Sequence, residues 1–314
     1  WCRRVVCGSG KGDHRPRDSG IRRQRKMWIR DRCEAVSRGE GKAVWIMATN
    51  PAVSLPETHR IRRALDLCPT VIVSDCVRNT DTASHADILL PAAGWGEKDG
   101  TVTNSERCIS RQRRFLPLPG EARPDWWIVS AVARALGHQA GFDYERPADS
   151  FREHARLSGF ENDGQRFFNI SGLADLTDEQ YEAMEPVQWP VTGLTSDSSR
   201  LFTDGRFATA TGRARLIPIA SRLPAGNPGE AFPLIVNTGR IRDQWHTMTR
   251  TGPAGRLFAH LSEPFAALHP QDIERYRLQE GGFVRLTSRV GDALVRVTRD
   301  TGQRPGTAFM PMHW

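Results

Sequence analysis

Long hydrophobic runs are missing from this 314-residue chain. No apolar stretch approaches the roughly 18 residues that a membrane-spanning helix requires, and no leader-like basic-then-apolar pattern is present. The expectation is a protein with no membrane partner. Cysteine is scarce and unpatterned: Cys2, Cys7, Cys33, Cys68, Cys76 and Cys108 form no CxxC spacing. Six thiols so placed suggest neither a disulfide scaffold nor a thiolate metal site. A reducing, cytoplasmic compartment follows as the expected location. Catalytic spacing motifs are lacking too. The histidines are too scattered for an HxxxH pattern, and Ser105 and Ser110 have no evident histidine partner. No catalytic residue and no metal ligand is therefore assigned, and no internal repeat is found.

An excess of one charge sign is also absent from most of the chain, although the net charge is +8. Residues 1–32 hold 11 Lys/Arg against 3 Asp/Glu, and the remainder holds 33 of each. The basicity belongs to one short segment, which argues against a nucleic-acid partner for the body of the chain. That segment, Trp1 to Arg32, is Arg-rich and Gly-interrupted, with no helical or strand period. It reads either as a basic disordered arm or as the product of an upstream reading-frame slip in GC-rich DNA.

Regular patterning is present from Glu34. Ala43–Met47 reads as a strand followed by the turn Ala48-Thr49-Asn50-Pro51, Glu57–Leu67 as a helix, and Thr70–Val73 as a strand ending in Ser74-Asp75. Ile88–Leu90 is a third strand, stopped by Pro91. Strands alternating with helices predict a mostly parallel sheet, whose ligands gather beyond the carboxyl ends of the strands. Asn50, Ser74 and Asp75 stand there, where ordinary caps and turns also occur. A polar loop carrying Arg107, Arg111, Arg113 and Arg114 reads as a solvated face or a domain seam. A helix from Asp125, its expected N-cap, runs to about Leu136, with Trp126 and Trp127 as core or seam residues. Residues 138–200 read as loops and short helices, with Asp178 and Glu179 on the surface. Beyond a boundary near residue 200 the pattern changes. Short Val/Leu/Phe-rich segments near 213–218, 233–237, 282–288 and 292–298 and around Phe309, separated by Gly or Asp turns, predict a β-barrel. A helix from His269 to Tyr276 is inserted among them.

The densest polar signal is Asn237-Thr238-Gly239-Arg240-Ile241-Arg242-Asp243-Gln244-Trp245-His246-Thr247, directly after the strand Leu234-Ile235-Val236. Backbone N–H groups at a Gly turn, with convergent polar side chains, suit a ligand bearing phosphates and a heterocycle. Lys98, Arg240 and Arg242 can offset pyrophosphate charge, and Asp75 and Asp125 can accept hydrogen bonds from ring amines or ribose hydroxyls. Lys98-Asp99-Gly100 is also an ordinary surface turn, and His246 an ordinary structural histidine.

These residues resemble the molybdopterin oxidoreductases. The resemblance rests on Met47–Pro56, Val73-Ser74-Asp75 with Thr80-Asp81-Thr82, Ala86–Ala92, Trp95–Arg107, and Asn237–Arg240 followed by Asp243–Arg250. Within the family the likeness is to assimilatory nitrate reductase catalytic subunits. It covers roughly residues 34–314 and is specific, because several motifs occur in family order. The resemblance implies a partial α/β cofactor domain over 34–200, with mostly parallel strands, followed by a double-psi β-barrel over 201–314 that lacks its C-terminal end. Residues 1–33 are atypical. It implies a molybdenum bis(molybdopterin guanine dinucleotide) cofactor. Asn50, Ser74, Asp75, Lys98 and Asp125 would contact one guanine dinucleotide; Thr238, Gly239, Arg240, Ile241, Arg242, Asp243, Gln244, Trp245, His246 and Thr247 would contact the other. Trp314 matches a further aromatic. The family's 4Fe–4S cysteine motif and molybdenum-ligating cysteine would precede residue 34, and its later Asn and Lys contacts would follow Trp314. The implied reaction of a complete enzyme is reduction of nitrate to nitrite, with electrons from a donor protein or reductase subunit. The isolated chain is expected to be inactive. Alternatives are another family member such as a formate dehydrogenase, a non-catalytic binding module with a basic nucleic-acid-contacting arm, and a degraded gene product that does not fold.

Overall fold

A computed structural model of the chain describes residues 29–193, 200–221 and 228–314. The chain groups into two compact units that are not consecutive in sequence: one runs to Leu89 and resumes at Ser221, and the other comprises Leu90–Ala220. Of the atypical segment 1–33, residues 1–28 lie outside the described residues. The first element among the described residues is helix α1 (Ile29–Ser37), whose Val36 reaches the core.

The first unit opens as β–α–β. Strands β1 (Val44–Met47) and β2 (Val71–Asp75) pair in parallel, Val44 opposite Val71 and Met47 opposite Ser74. Parallel neighbours need a crossover, and helices α2 (Pro51–Ser54) and α3 (Thr58–Leu67) supply it. The buried face of α3 is Ile61, Ala64 and Leu65, the i, i+3, i+4 stripe of an amphipathic helix. Val44, Ile46, Val71 and Val73 meet Val36, Ala64 and Leu65 in one core that includes Cys68, with Cys33 packed against it. Each aliphatic side chain fully buried in this way contributes about 1.5–3 kcal/mol. Strand β3 (Ile88–Pro91) gives the sheet order β1-β2-β3, and the boundary between the units falls within it.

The second unit corrects several expectations. The Arg-laden loop is a hairpin, β4 (Gly100–Thr103) and β5 (Cys108–Gln112), extended antiparallel by β6 (Val187–Gln188). Arg111 is not solvated: none of its side chain is exposed, and it contacts Asp99 Oδ1 at 2.7 Å, Gly100 O at 2.5 Å and Glu182 Oε2 at 2.8 Å. Its guanidinium lies 4.1 Å over the Tyr181 ring. Burial opposes its charge, and the hydrogen bonds it donates to Asp99 and Glu182 outweigh that cost, raising its pKa. Burial pushes the Tyr181 hydroxyl up to about 12.

Helix α4 (Asp125–Ala135) begins at Asp125 with Pro124 as the N-cap, so Asp125 is not the cap: its carboxylate is engaged elsewhere. Trp126 is half-buried, and Trp127 is exposed beneath the Arg123 guanidinium rather than in the core. The stretch 138–200 contains a thirteen-residue helix, α5 (Pro147–Gly159), and a short one, α6 (Asp178–Glu182). Phe151, Ala155, Ile170, Leu173, Tyr181 and Val191 form this unit's core. Asp178 is paired with Arg146 and Arg152, and the Arg152 hydrogen bond holds its carboxyl below the usual range. The expected strand near 213–218 is absent; Leu216 and Ile217 are exposed and no strand pairs with them.

The remainder of the first unit is a curled half-barrel. Its strands are β7 (Ile235–Gly239), β8 (Phe265–Leu268), β9 (Phe283–Ser288), β10 (Gly291–Arg299) and β11 (Thr307–Pro311), in the order β7-β11-β8-β10-β9. β7 with β11 and β8 with β10 run parallel; the other two pairs run antiparallel. Helix α7 (Gly255–Phe258) precedes β8. Helix α8 (Pro270–Arg275) follows it, with His269 as the N-cap. Buried Asp272 of α8 accepts the Gly306 N–H at 2.8 Å and so fixes the turn into β11.

Candidate dinucleotide site

Asn50 leaves β1 at the carboxyl end of the parallel pair and is almost fully buried. Its Oδ1 accepts the Thr82 N–H at 3.1 Å and the Thr82 hydroxyl at 2.6 Å. A backbone N–H can only donate, so the amide nitrogen must face the other way, where it donates to Thr247 Oγ1 at 3.2 Å. Thr82 in turn accepts the Ala52 N–H, and Thr247 Oγ1 lies 2.9 Å from Thr249 Oγ1. One buried amide thus joins the loop after β1, the turn at Thr82 and the loop after β7. Beside it opens a cavity of about 400 Å³ whose lining includes Asn50, Arg78, Thr80, Asp81, Thr247 and Thr249. Asp81 is paired with Arg62 at 2.9 Å. The lining therefore offers hydroxyls, an amide and the cationic Arg78 residue, the donor set that suits phosphate and ribose oxygens.

The loop after β7 is shaped from within. Gly239 is required by packing: a Cβ there would come within 2.8 Å of the Phe309 ring. Buried Gln244 accepts the Thr251 hydroxyl at 2.6 Å and donates to Leu257 O at 3.3 Å. Asp243 is held by Arg242 at 2.9 Å and by His260 at 2.8 Å; the Arg242 hydrogen bond, then His260, keep its carboxyl below the usual range. His246 and Met248 adopt left-handed backbone angles, φ +43° and +60°. Such residues cost about 1–3 kcal/mol each and persist only where surrounding contacts fix them. Ile241 turns its N–H inward to the buried His313 ring. Thr238, Arg240, Trp245 and His246 remain exposed, with the Arg240 guanidinium 4.6 Å over the Trp245 ring.

The other sequence candidates fall as follows. Ser74 lies inside β2 rather than after it, 1% exposed, and its hydroxyl accepts the Trp45 indole N–H at 2.8 Å. Asp75, half-buried, accepts the Val77 N–H at 3.0 Å. Trp314 stands beside His313, ring centroids 6.2 Å apart. Lys98 and Asp125 belong to the second unit, where they form an ion pair at 3.0 Å. Thr82 and His313 were missed by the sequence reading. A Thr-x-Thr motif hinted at the first, and nothing local marked the second. Among the described residues, no three His, Cys, Asp or Glu side chains converge as a metal-ligand set, and no helix is long and apolar enough to cross a membrane.

Residues 25–135 match the model of the molybdopterin oxidoreductase family, and residues 234–314 that of the molydopterin dinucleotide binding domain. Two separate stretches of the chain thus match domains of the molybdopterin oxidoreductases. A nitrate reductase of Klebsiella oxytoca is 53% identical over 89% of this chain and 32% of its own length. The alpha subunit of an F420-dependent formate dehydrogenase of Methanocaldococcus jannaschii is 32% identical over 87% of this chain and 38% of its own length. The chain thus spans about a third of the length of the relatives it matches. Among solved structures, acetylene hydratase from Pelobacter acetylenicus superposes with a TM-score of 0.67 over 89% of this chain and 38% of its own, at 17% identity, and so shares the fold.

Proposed function

We propose that this chain binds the guanosine diphosphate portions of a molybdenum bis(molybdopterin guanine dinucleotide) cofactor, as part of a nitrate reductase of the assimilatory type. The observation that carries the reading is the Asn50–Thr247 hydrogen bond beside the hydroxyl- and arginine-lined cavity. Two loops of family sequence, far apart in the chain, meet there. Arg78 and Arg240 supply positive charge for pyrophosphate, Arg242 being paired with Asp243. Thr247 and Thr249 supply hydroxyls, and Trp245 supplies an exposed ring face for a heterocycle. On the family resemblance Ser74 and Asp75, and Lys98 and Asp125 of the second unit, are assigned to dinucleotide as well; a carboxylate suits the N–H donors of guanine.

When bound, the cofactor supplies two-electron oxygen-atom transfer: nitrate takes up two electrons and two protons and leaves as nitrite and water. The chain's part is to hold and orient the nucleotide tails. A 4Fe–4S cluster, an electron-donor partner and a cytoplasmic location belong to the same proposal for the whole enzyme. A formate dehydrogenase is the second reading, favoured by the Methanocaldococcus relative; the run Trp245-His246-Thr247-Met248-Thr249-Arg250 favours nitrate reductase.

The test is calorimetric titration of the purified chain with GDP, with ADP as the control base. Saturable GDP binding, weakened at least several-fold in Asn50→Ala and Thr247→Val, is expected. Equal affinity for ADP, or no GDP binding by the unaltered chain, overturns the reading.

A further inference from the structure

We propose that His313 is the positioning residue of the dinucleotide loop. Its buried imidazole, held as the neutral Nδ1–H tautomer, ties Ile241 to His246 and so sets the shape in which the loop's outward side chains meet a guanosine nucleotide. The proposal rests on the dinucleotide reading above.

His313 is 1% exposed, among the most buried polar residues of the chain. The Ile241 N–H donates to its Nε2 at 3.1 Å, and its Nδ1 lies 2.6 Å from the carbonyl oxygen of His246. An amide N–H cannot accept and a carbonyl cannot donate, so Nε2 is bare and Nδ1 carries the proton. Both ring nitrogens are engaged with backbone, and none is left for a ligand. The sheet register delivers the ring to this place. Parallel pairing of β11 with β7 sets Pro311 opposite Gly239, and Met312 N–H then donates to Gly239 O at 3.0 Å. His313, the next residue, follows the loop as it leaves the strand.

The clamp acts where the loop most needs it. His246, whose carbonyl is the one captured, has a left-handed φ of +43°. A residue so held persists when its surroundings over-determine it. While the backbone of Ile241 and His246 faces His313, the side chains of Arg240, Trp245 and His246 remain exposed. The loop thus has an inner face fixed by one imidazole and an outer face free to bind.

Two variants separate the clamp from simple packing. His313→Phe keeps a ring in the cavity and removes both hydrogen bonds. His313→Gln restores an acceptor for Ile241 and a donor for His246. The full chain is titrated with GDP, and hydrogen exchange of the Ile241 amide is followed in parallel. Expected is a loss of about tenfold in GDP affinity in the Phe variant, equivalent to about 1.4 kcal/mol, with Ile241 protection lost; both recover in the Gln variant. Nitrogen NMR of the unaltered chain should find the His313 ring protonated at Nδ1 and bare at Nε2, a readout that needs no variant to fold. A ring protonated at Nε2 overturns the proposal. So does a Phe variant that binds GDP as tightly as the unaltered chain, which leaves the dinucleotide reading standing. Absence of GDP binding in the unaltered chain defeats both.

Discussion

Arg111 carries a full positive charge on a side chain with no exposed surface. Such a group is tolerable when most of its donors are matched: here Asp99, Gly100 and Glu182 accept from the two terminal nitrogens and Tyr181 covers the guanidinium face, while Nε is buried without a partner. Asp99 and Gly100 directly follow Lys98, whose own ammonium meets Asp125. Gln112, the neighbour of Arg111 on β5, donates to the carbonyl oxygens of Trp95 and Lys98. The hairpin therefore fixes the backbone on which Lys98 sits. Arg111→Met is expected to destabilise the fold by about 1–3 kcal/mol, the range for losing hydrogen bonds to charged groups, because the carboxylates left behind, Asp99 and Glu182, still reach solvent. Arg111→Lys should not rescue it, because a point charge cannot reproduce a planar fork shared between two carboxylates. Urea unfolding of the three proteins measures this; a Met variant within about 0.5 kcal/mol of the parent, the range of ordinary surface substitutions, would contradict the account. Nothing in the local sequence distinguishes Arg111 from Arg113 or Arg114. Its burial depends on Glu182, distant in the chain, which is why a charge run read as a solvated face or a domain seam proved to contain a buried residue.

At the scale of elements, what was legible had a period. β1, α3, β2 and the strands from β9 to β11 each carry an alternating, continuous or 3.6-residue apolar pattern, α8 is opened by Pro270, and each formed near its expected bounds. The hairpin β4–β5 did not show itself, because its strands are short and polar and pair through backbone. Segment 213–218 misled in the opposite sense: its apolar residues suggested a strand, yet a strand exists only where a neighbour offers a ladder. The site was legible in part for the same reason. Asn50 and the run after β7 announced themselves by composition and position, whereas Thr82 and His313 act through partners set by the register of other elements. Register also explains Gly239. Its parallel neighbour is Pro311, one residue from Met310 and two from Phe309, whose ring closes over the position a Cβ would occupy at 2.8 Å. Gly239→Ala is expected to destabilise by about 1–3 kcal/mol through overpacking, and to weaken GDP binding by moving the loop it introduces. Adding Phe309→Leu should return much of the stability, since the two changes share one contact. Thermal unfolding of the double-mutant cycle checks this; strict additivity would place the strain elsewhere.

Across the whole molecule the charge is divided unevenly. The net charge of +8 resides in residues 1–32, and the remaining residues hold 33 Lys/Arg against 33 Asp/Glu. On the proposed function a dinucleotide site needs positive charge only locally, and Arg78 and Arg240 would provide it without making the body of the chain basic, Arg242 being paired with Asp243. A nucleic-acid site would behave otherwise, because it neutralises many phosphates at once and its affinity falls steeply with salt. The two ligand classes can therefore be separated by one deletion. Removing residues 1–32 is expected to abolish salt-dependent retention of the chain on immobilised DNA while leaving its GDP affinity unchanged within about twofold, a difference near 0.4 kcal/mol. Loss of GDP binding on deletion would assign the phosphate recognition to the basic segment instead of the loop after β7. Retention of DNA by the neutral remainder, with a steep salt dependence, would favour a nucleic-acid partner over a nucleotide cofactor. The deletion thus asks whether phosphate recognition is a property of net charge or of the geometry built around Asn50 and Thr247, and only the second is compatible with a cofactor-holding role.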